Sequence, residues 1–345
     1  MTGDHRPQGA AIPLEAHFVW LGPHLPAVAW LAIRAALARG GFAQVHLWAD
    51  TPGLADDRRV AALMADHAMQ FHGIEALGVG ARAGTGQSGE VGSLDAATAP
   101  GVTATLNALH RELASPAGRA DLLRLRILWQ HGGVYLDCDA ITLRHFGELC
   151  NLPAFVGLEH VCLPAHLYVS RNPLRWARAG ALLGLRHALS LRVGAGRRFA
   201  GVASLYDLAC NNAVVGAPAQ AEVLARLLRR AASLPQATAH TLYELGPRLL
   251  EAETQNASNA QMSVLAPSAF YPLGPEVCAD YIAHDPEQSL GQAPSPATFA
   301  AHLYDSVLAR RLGRPIDLLW LQQHQQDTLL GRMAAPYLAE LAQIC

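Results

Sequence analysis

The chain has 345 residues, of which 51% are hydrophobic and 16% charged, with a formal net charge of −2 when its 16 histidines are neutral. That length can bury one large core or two ordinary ones. The charge balance excludes the strongly basic surface that nucleic-acid binding needs, and the apolar content excludes a disordered chain.

The first 140 residues alternate strand and helix signals. "AHFVWLG" (16–22) reads as a short strand. "PAVAWLAIRAALARGG" (26–41) has helical apolar spacing and a Gly-Gly stop. "AQVHLWAD" (43–50) is a second strand, "DDRRVAALMADHA" (56–68) a helix with acidic residues at its start, and "MQFHGI" (69–74) a weaker third strand. This alternation predicts an α/β domain with a largely parallel sheet. Residues 78–101 are rich in Gly, Ser, Thr and Ala and read as a long loop. They hold no GxGxxG between a strand and a helix, so no dinucleotide site is expected.

"SPAGRADLLRLRILWQHGG" (115–133) predicts a helix capped by Ser115, opened by Pro116 and stopped by Gly132 and Gly133. Three β-formers follow, Val134 to Leu136, and then Asp137 and Asp139. Beyond residue 140, strands are expected at 154–159 and 166–170 and a helix at 172–191. A strand, turn and helix are expected across 211–234, a strand region at 262–272, and a helical tail from Ile316. There is no internal repeat and no clear linker, so one continuous domain is expected. No 18-residue run is free of charge, and Arg34 interrupts the nearest candidate, so no transmembrane segment is expected. The opening residues lack a basic stretch followed by an apolar one, so a soluble, cytoplasmic protein is expected. The six cysteines are scattered without zinc-type spacing and are expected to be reduced.

The acidic pair raises the chemical question. Residues two apart on a strand share a face, so Asp137 and Asp139 project together if the chain stays extended past Leu136. Two such carboxylates repel unless a cation sits between them. A hard divalent ion such as Mg²⁺ or Mn²⁺ takes oxygen ligands and removes the conflict. Ligands in open α/β folds bind at the C-terminal ends of strands. The bland alternative is a solvated turn. Asp121 and Arg124 lie at i, i+3 on the preceding helix and share a face; alone they could be a surface ion pair.

The segment "GRADLLRLRILWQHGGVYLDCDAITL" resembles the DXD segment of sugar-nucleotide glycosyltransferases with the GT-A fold. It is most similar to glycosyltransferase family 32, and the large clostridial glucosylating toxins share a related segment. The family pattern is Ser-Asp-x-x-Arg, then Gly-Gly-x-Tyr-x-Asp-x-Asp. Here Ala120 stands at the Ser position and Cys138 between the aspartates. "IPLEAHFVWLG" is similar to the family's opening strand and "VHLWAD" to its second. "NNAVVGAPAQ", "GPRLL", "FYP" and "AAHLYDS" follow the family's landmarks in order, with Tyr304 and Val307 where Trp is usual. The resemblance spans most of residues 11–310.

That resemblance implies a Rossmann-like GT-A fold, with a mostly parallel central sheet flanked by helices and additional C-terminal helices. Residues 11–140 would form the nucleotide-sugar-binding half, 141–310 the acceptor-side half and 316–345 a helical tail. It implies a divalent cation, Mn²⁺ or Mg²⁺, held by Asp139 and Asp137 with His302 as third ligand, neutralising the diphosphate leaving group. Asp305 lies close enough in sequence to substitute. Asp121 and Arg124 would hold donor-sugar hydroxyls, Tyr135 would lie on the donor side, Trp20 would stack on the base, and Asn211 and Asn212 would touch sugar or acceptor. A buried core Trp, a structural His and a capping or turn pair of Asn are the alternatives for Trp20, His302 and the pair Asn211 and Asn212. Arg197 and Arg198 sit in a basic loop that could close over phosphate, although a solvated loop is the simpler reading.

The expected activity is transfer from a nucleotide-sugar, UDP-sugar first and GDP-mannose second, to a saccharide or small-molecule acceptor. Family resemblance implies retention of configuration. An effector-type protein glycosyltransferase and an inactive sugar-nucleotide-binding protein are the competing readings. A phosphoryl-transfer metalloenzyme is disfavoured by the lack of a P-loop or kinase motif set.

Overall fold

A computed structural model describes residues 11–344 apart from 79–93, 169, 191–193, 242, 255–260, 276 and 285–293. Its central sheet has seven strands: β1 (Glu15–Trp20), β2 (Gln44–Ala49), β3 (Met69–Gly73), β4 (Gly133–Leu136), β6 (Phe155–Val161), β7 (Asp207–Ala217) and β8 (Ser263–Leu265). The spatial order is β3-β2-β1-β4-β7-β6-β8. Every pairing is parallel except the two that β7 makes, so β7 alone runs against the rest. A two-stranded ribbon pairs β5 (Ala140–Thr142) with β9 (Ala300–His302), antiparallel. The expected α/β class, with a mostly parallel sheet, flanking helices and C-terminal helices, is what the chain adopts.

Helices cover both faces of the sheet. Alternate residues of each strand feed opposite cores, as the two-residue period of a strand requires. Ala16, Phe18, Val134 and Leu136 enter a core shared with α1 (Ala27–Arg39) and the C-terminal helices. Val19, Trp48 and Tyr135 enter a second core shared with α4 (Val102–Glu112), α5 (Pro116–His131) and the helix Glu222–Ser233. The short helices α2 (Arg58–Met64) and α3 (Leu94–Ala97) complete the N-terminal half.

α5 is built as its sequence dictates. The Ser115 side chain accepts from the Gly118 N–H, Pro116 opens the helix, and Gly132 ends it at φ 71°. Both glycines of the pair are needed. A Cβ on Gly132 would lie 2.6 Å from the Ala219 nitrogen, and one on Gly133, at φ 89°, would lie 2.7 Å from the Glu15 carbonyl oxygen. The chain turns sharply out of the helix and runs flush against β1, and only glycine can follow that path.

Three expectations change. The strand expected at 166–170 does not form over its described residues, because a short helix runs over Ala165–Tyr168 instead. Pro164 precedes it and its carbonyl accepts the Leu167 N–H, so a helical turn wins over the β-propensity of "HLYVS". Phe270 and Tyr271 are not in a strand; only Ser263–Leu265 of that region pairs. Arg197 and Arg198 lie in the helix Ala195–Ala200 rather than in a loop. Most of the expected 78–101 loop lies outside the described residues, but its end is ordered as α3.

Candidate active site

The site forms at the C-terminal ends of β1 and β4, where a parallel sheet opens toward ligands. Asp137 continues the β4 ladder by donating its N–H to the Ala213 carbonyl of β7 at 2.8 Å. The backbone then bends, and the Ala140 N–H returns to the Asp137 carbonyl at 2.9 Å. The chain therefore does not stay extended past Leu136, and strand alternation is not what brings the two carboxylates together. A tight turn does so. Inside it, Cys138 directs its thiol at the Val19 carbonyl, 3.3 Å away on β1.

Asp137 keeps the parity of Tyr135 and so faces α5. There it meets Arg124, whose guanidinium lies 3.2 Å from Asp137 and 3.0 Å from Asp121. The same guanidinium donates to the Asn212 carbonyl and sits 4.4 Å over the Tyr135 ring. The Tyr135 hydroxyl donates to Asp137 at 2.9 Å, and the Asn212 amide donates to Asp121 at 2.7 Å. Arg124 is thus buried among protein partners, and the Asp121–Arg124 pair is not a surface pair. Gly246 closes this corner: a Cβ there would fall 2.3 Å from the Asn212 amide nitrogen and 2.8 Å from Asp121.

Asp139 faces the β5–β9 ribbon. His302, the register partner of Ala140, approaches its carboxylate to 3.1 Å and that of Asp137 to 3.9 Å. The second oxygen of Asp139 accepts the Asp305 N–H at 2.9 Å, and its carbonyl accepts the Leu303 N–H at 2.9 Å. One atom each from Asp137, Asp139 and His302 lie within 4.8 Å of one another, a spacing that a single cation could bridge. Two carboxylates and one imidazole form an oxygen-rich donor set that suits a hard ion.

Electrostatics separates the two aspartates. Burial pushes the Asp137 carboxyl up, with Asp139 adding to the rise and Arg124 opposing it. Burial also works against ionisation of Asp139, yet His302 and the Asp305 N–H hold it below the usual carboxylate range. Burial lowers His302, but the Asp139 carboxylate outweighs that and raises it. Asp305 is pushed up to about 6 by burial and by Asp139, and its Oδ1 is buried without a partner.

The expected residues fall into two groups joined by Asp137. Asp121, Arg124, Tyr135 and Asn212 make one, and Asp139 and His302 make the other. Asn211 lies beside them on β7, with its side chain accepting the Ala213 N–H and its carbonyl accepting the Tyr271 hydroxyl. Trp20 ends β1 on the same edge of the sheet, half-buried, with its indole N–H buried and lacking an acceptor. Glu159 and Tyr304 join the site without having been singled out as site residues. The Tyr304 hydroxyl donates to Glu159 at 2.8 Å, and Tyr304 is held at φ 57°, a left-handed backbone that a bulky residue adopts only under constraint. Burial raises Glu159, with Asn211 and Tyr304 opposing through hydrogen bonds.

Residues 89–155 match the family model described as glycosyltransferase sugar-binding region containing DXD motif. That span includes Asp121, Arg124, Tyr135, Asp137 and Asp139. No curated protein matches the chain in sequence. Among solved structures, the PaToxG glycosyltransferase is similar at 15% identity over 72% of this chain and 70% of its own, with a TM-score of 0.44. The ligand-free glycosyltransferase domain from the YGT toxin is similar at 10% identity over 74% and 80%, with a TM-score of 0.41. The UDP-bound form of that domain is similar at 12% identity over 89% and 79%, with a TM-score of 0.35. No helix among the described residues is long and apolar enough to cross a membrane. Residues 89–155 thus match the DXD sugar-binding region of glycosyltransferases, folded so that its two aspartates open at the end of a parallel sheet.

Proposed function

We propose that the protein is a metal-dependent, retaining glycosyltransferase. Its donor is a nucleotide-sugar, a UDP-sugar before GDP-mannose, and its acceptor a saccharide or small molecule. The observation that carries this reading is the convergence of Asp137, Asp139 and His302 from two distant parts of the chain. The mutual repulsion of the aspartates and the buried, unpartnered Oδ1 of Asp305 fit a site made to receive positive charge.

Asp139, Asp137 and His302 would hold Mn²⁺ or Mg²⁺. When bound, such an ion supplies neutralising charge to the diphosphate leaving group. Arg124 is engaged by Asp121, Asp137 and Asn212, so its work is to fix Asp137 rather than to reach for sugar hydroxyls. Asp121, oriented by Asn212, is the acceptor for donor-sugar hydroxyls. The free indole N–H of Trp20 and its position at the end of β1 suit a contact with the nucleotide. Residues 11–140 act as the nucleotide-sugar half of one continuous domain, and 141–310 as the acceptor half.

A calorimetric panel of nucleotide-sugars tests this, run with Mn²⁺ and with chelator on the wild type and on Asp139→Asn. One donor should bind, and binding should need both the ion and Asp139. Donor binding that is equally tight in chelator and in the variant would sink the proposal. The anomeric configuration of the product, read by NMR, tests retention. The protein-modifying alternative predicts a sugar mass added to a protein acceptor. The inactive alternative predicts donor binding without hydrolysis or transfer.

A further inference from the structure

A second cluster of cation ligands lies outside this site. His324 ends the helix Leu318–Gln323, and Asp327 follows it by three residues, just before the helix Leu329–Ala334. His284 comes from a segment far earlier in the chain. Its Nδ1 lies 2.8 Å from one oxygen of Asp327, and the Nδ1 of His324 lies 3.3 Å from both oxygens. One ligand atom from each residue falls within 4.8 Å of the others.

We propose that His284, His324 and Asp327 form a structural site for a borderline divalent ion of the zinc class. Metal–ligand bonds near 2.0–2.2 Å in a tetrahedron put neighbouring ligand atoms about 3.3 Å apart, close to the spacings found here. Two imidazoles and one carboxylate select zinc over magnesium or manganese, which favour the oxygen-rich aspartate pair. His284 is 69% exposed, so the ion has a path in from solvent and water can take the fourth position. His324 is held in place by the Trp320 ring, whose centroid is 4.6 Å away, and the Thr328 side chain caps the next helix by accepting the Gly331 N–H. His324 is therefore oriented before the ion arrives. The ion would close a loop of 43 residues between His284 and Asp327. That loop contains β9 and His302, so the clip would restrain the segment that completes the aspartate site.

Zn²⁺ titration of the full chain in excess Mg²⁺ tests this, with a chromophoric zinc chelator as competitor. The Asp139→Asn variant should retain one Zn²⁺ equivalent of micromolar affinity or tighter. His324→Ala and Asp327→Asn should each weaken that equivalent at least about tenfold. Co²⁺ in place of Zn²⁺ should give the intense visible bands of a tetrahedral ion in Asp139→Asn and not in His324→Ala. His284→Gln, on an exposed segment, provides a variant whose metal-free melting should equal that of the wild type. The proposal is overturned if Zn²⁺ binds only at millimolar concentration. It is also overturned if the equivalent survives in His324→Ala, or disappears in Asp139→Asn, which would assign the ion to the aspartate pair.

Discussion

Replacing Arg124 with Met should destabilise the fold more than any other single change in the site. The guanidinium is buried, with a side-chain exposure of 5%, and compensates Asp121 at 14% and Asp137 at 28%. Each pair at about 3 Å is worth about 5 kcal/mol at an effective dielectric of about 20. The cost of burying the guanidinium offsets much of this, and breaking such buried pairs from one side costs about 3–5 kcal/mol. Methionine fills similar volume, so a packing void contributes little. The loss should depend on pH. Both carboxyls are already raised by burial, and without the guanidinium they rise further above their unfolded value of about 4. A carboxyl raised in the folded state costs stability only where the unfolded chain has ionised, so the deficit grows as pH climbs above that value. Urea unfolding of wild type and Arg124→Met, in chelator, should show a larger gap at pH 7.5 than at pH 5. Adding Asp121→Asn to the variant should recover part of it. A loss under about 1 kcal/mol, or one equal at both pH values, would falsify the view of Arg124 as the buried cation that holds two half-buried carboxylates together.

Gly133→Ala should lower stability by about 1–3 kcal/mol or more, since it combines a left-handed φ with a Cβ 2.7 Å from the Glu15 carbonyl; an unchanged melting temperature contradicts this. Leu125→Asp should prevent folding, because Leu125 is 2% exposed in the core under α5 and an unpaired charge there has no partner; a wild-type circular dichroism melt would show the helix register to be wrong. His46 and His72, hydrogen-bonded to each other at 2.9 Å, are both lowered to about 4, chiefly by burial. Their unfolded forms bind protons first, so they withdraw stability as pH falls from about 6.5 toward 4. Wild type should therefore lose about 1–3 kcal/mol more between pH 7 and pH 5 than His46→Gln/His72→Gln, and parallel pH profiles would refute it.

Local signals in the sequence carried the N-terminal half well. The caps of α5, its Gly-Gly exit and the i, i+3 spacing of Asp121 and Arg124 are short-range features, and short-range chemistry decides them. The DXD aspartates were legible as a pair, but the turn that joins their carboxylates was not, because it depends on β7 taking the Asp137 N–H and on the ribbon taking Asp139. His302 was reached through the order of landmarks, not through any period, since a three-residue strand such as β9 has none to show. The site roles of Glu159 and Tyr304 stayed hidden for a similar reason. A carboxylate on β6 and a tyrosine 145 residues away become partners only when the antiparallel β7 brings the far side of the sheet beside β4. α4 also escaped, because its polar, weakly apolar sequence blends into the loop before it.

The hydrogen bond between Asp139 and Asp305 spans 166 positions of the chain. During synthesis, the turn bearing both aspartates leaves the ribosome long before the strand that answers it. Until β9 arrives, two neighbouring carboxylates have neither His302 nor the Asp305 N–H to hold them, and closing so long a connection is among the slower steps a chain takes. The proposed nucleotide-sugar capture would then be a late event in the life of each molecule, and a nascent or truncated chain ending before residue 302 would carry the motif without the trap. On the reading proposed above, an incomplete copy would not sequester donor, and metal-dependent donor binding would report whether the last part of the fold has formed.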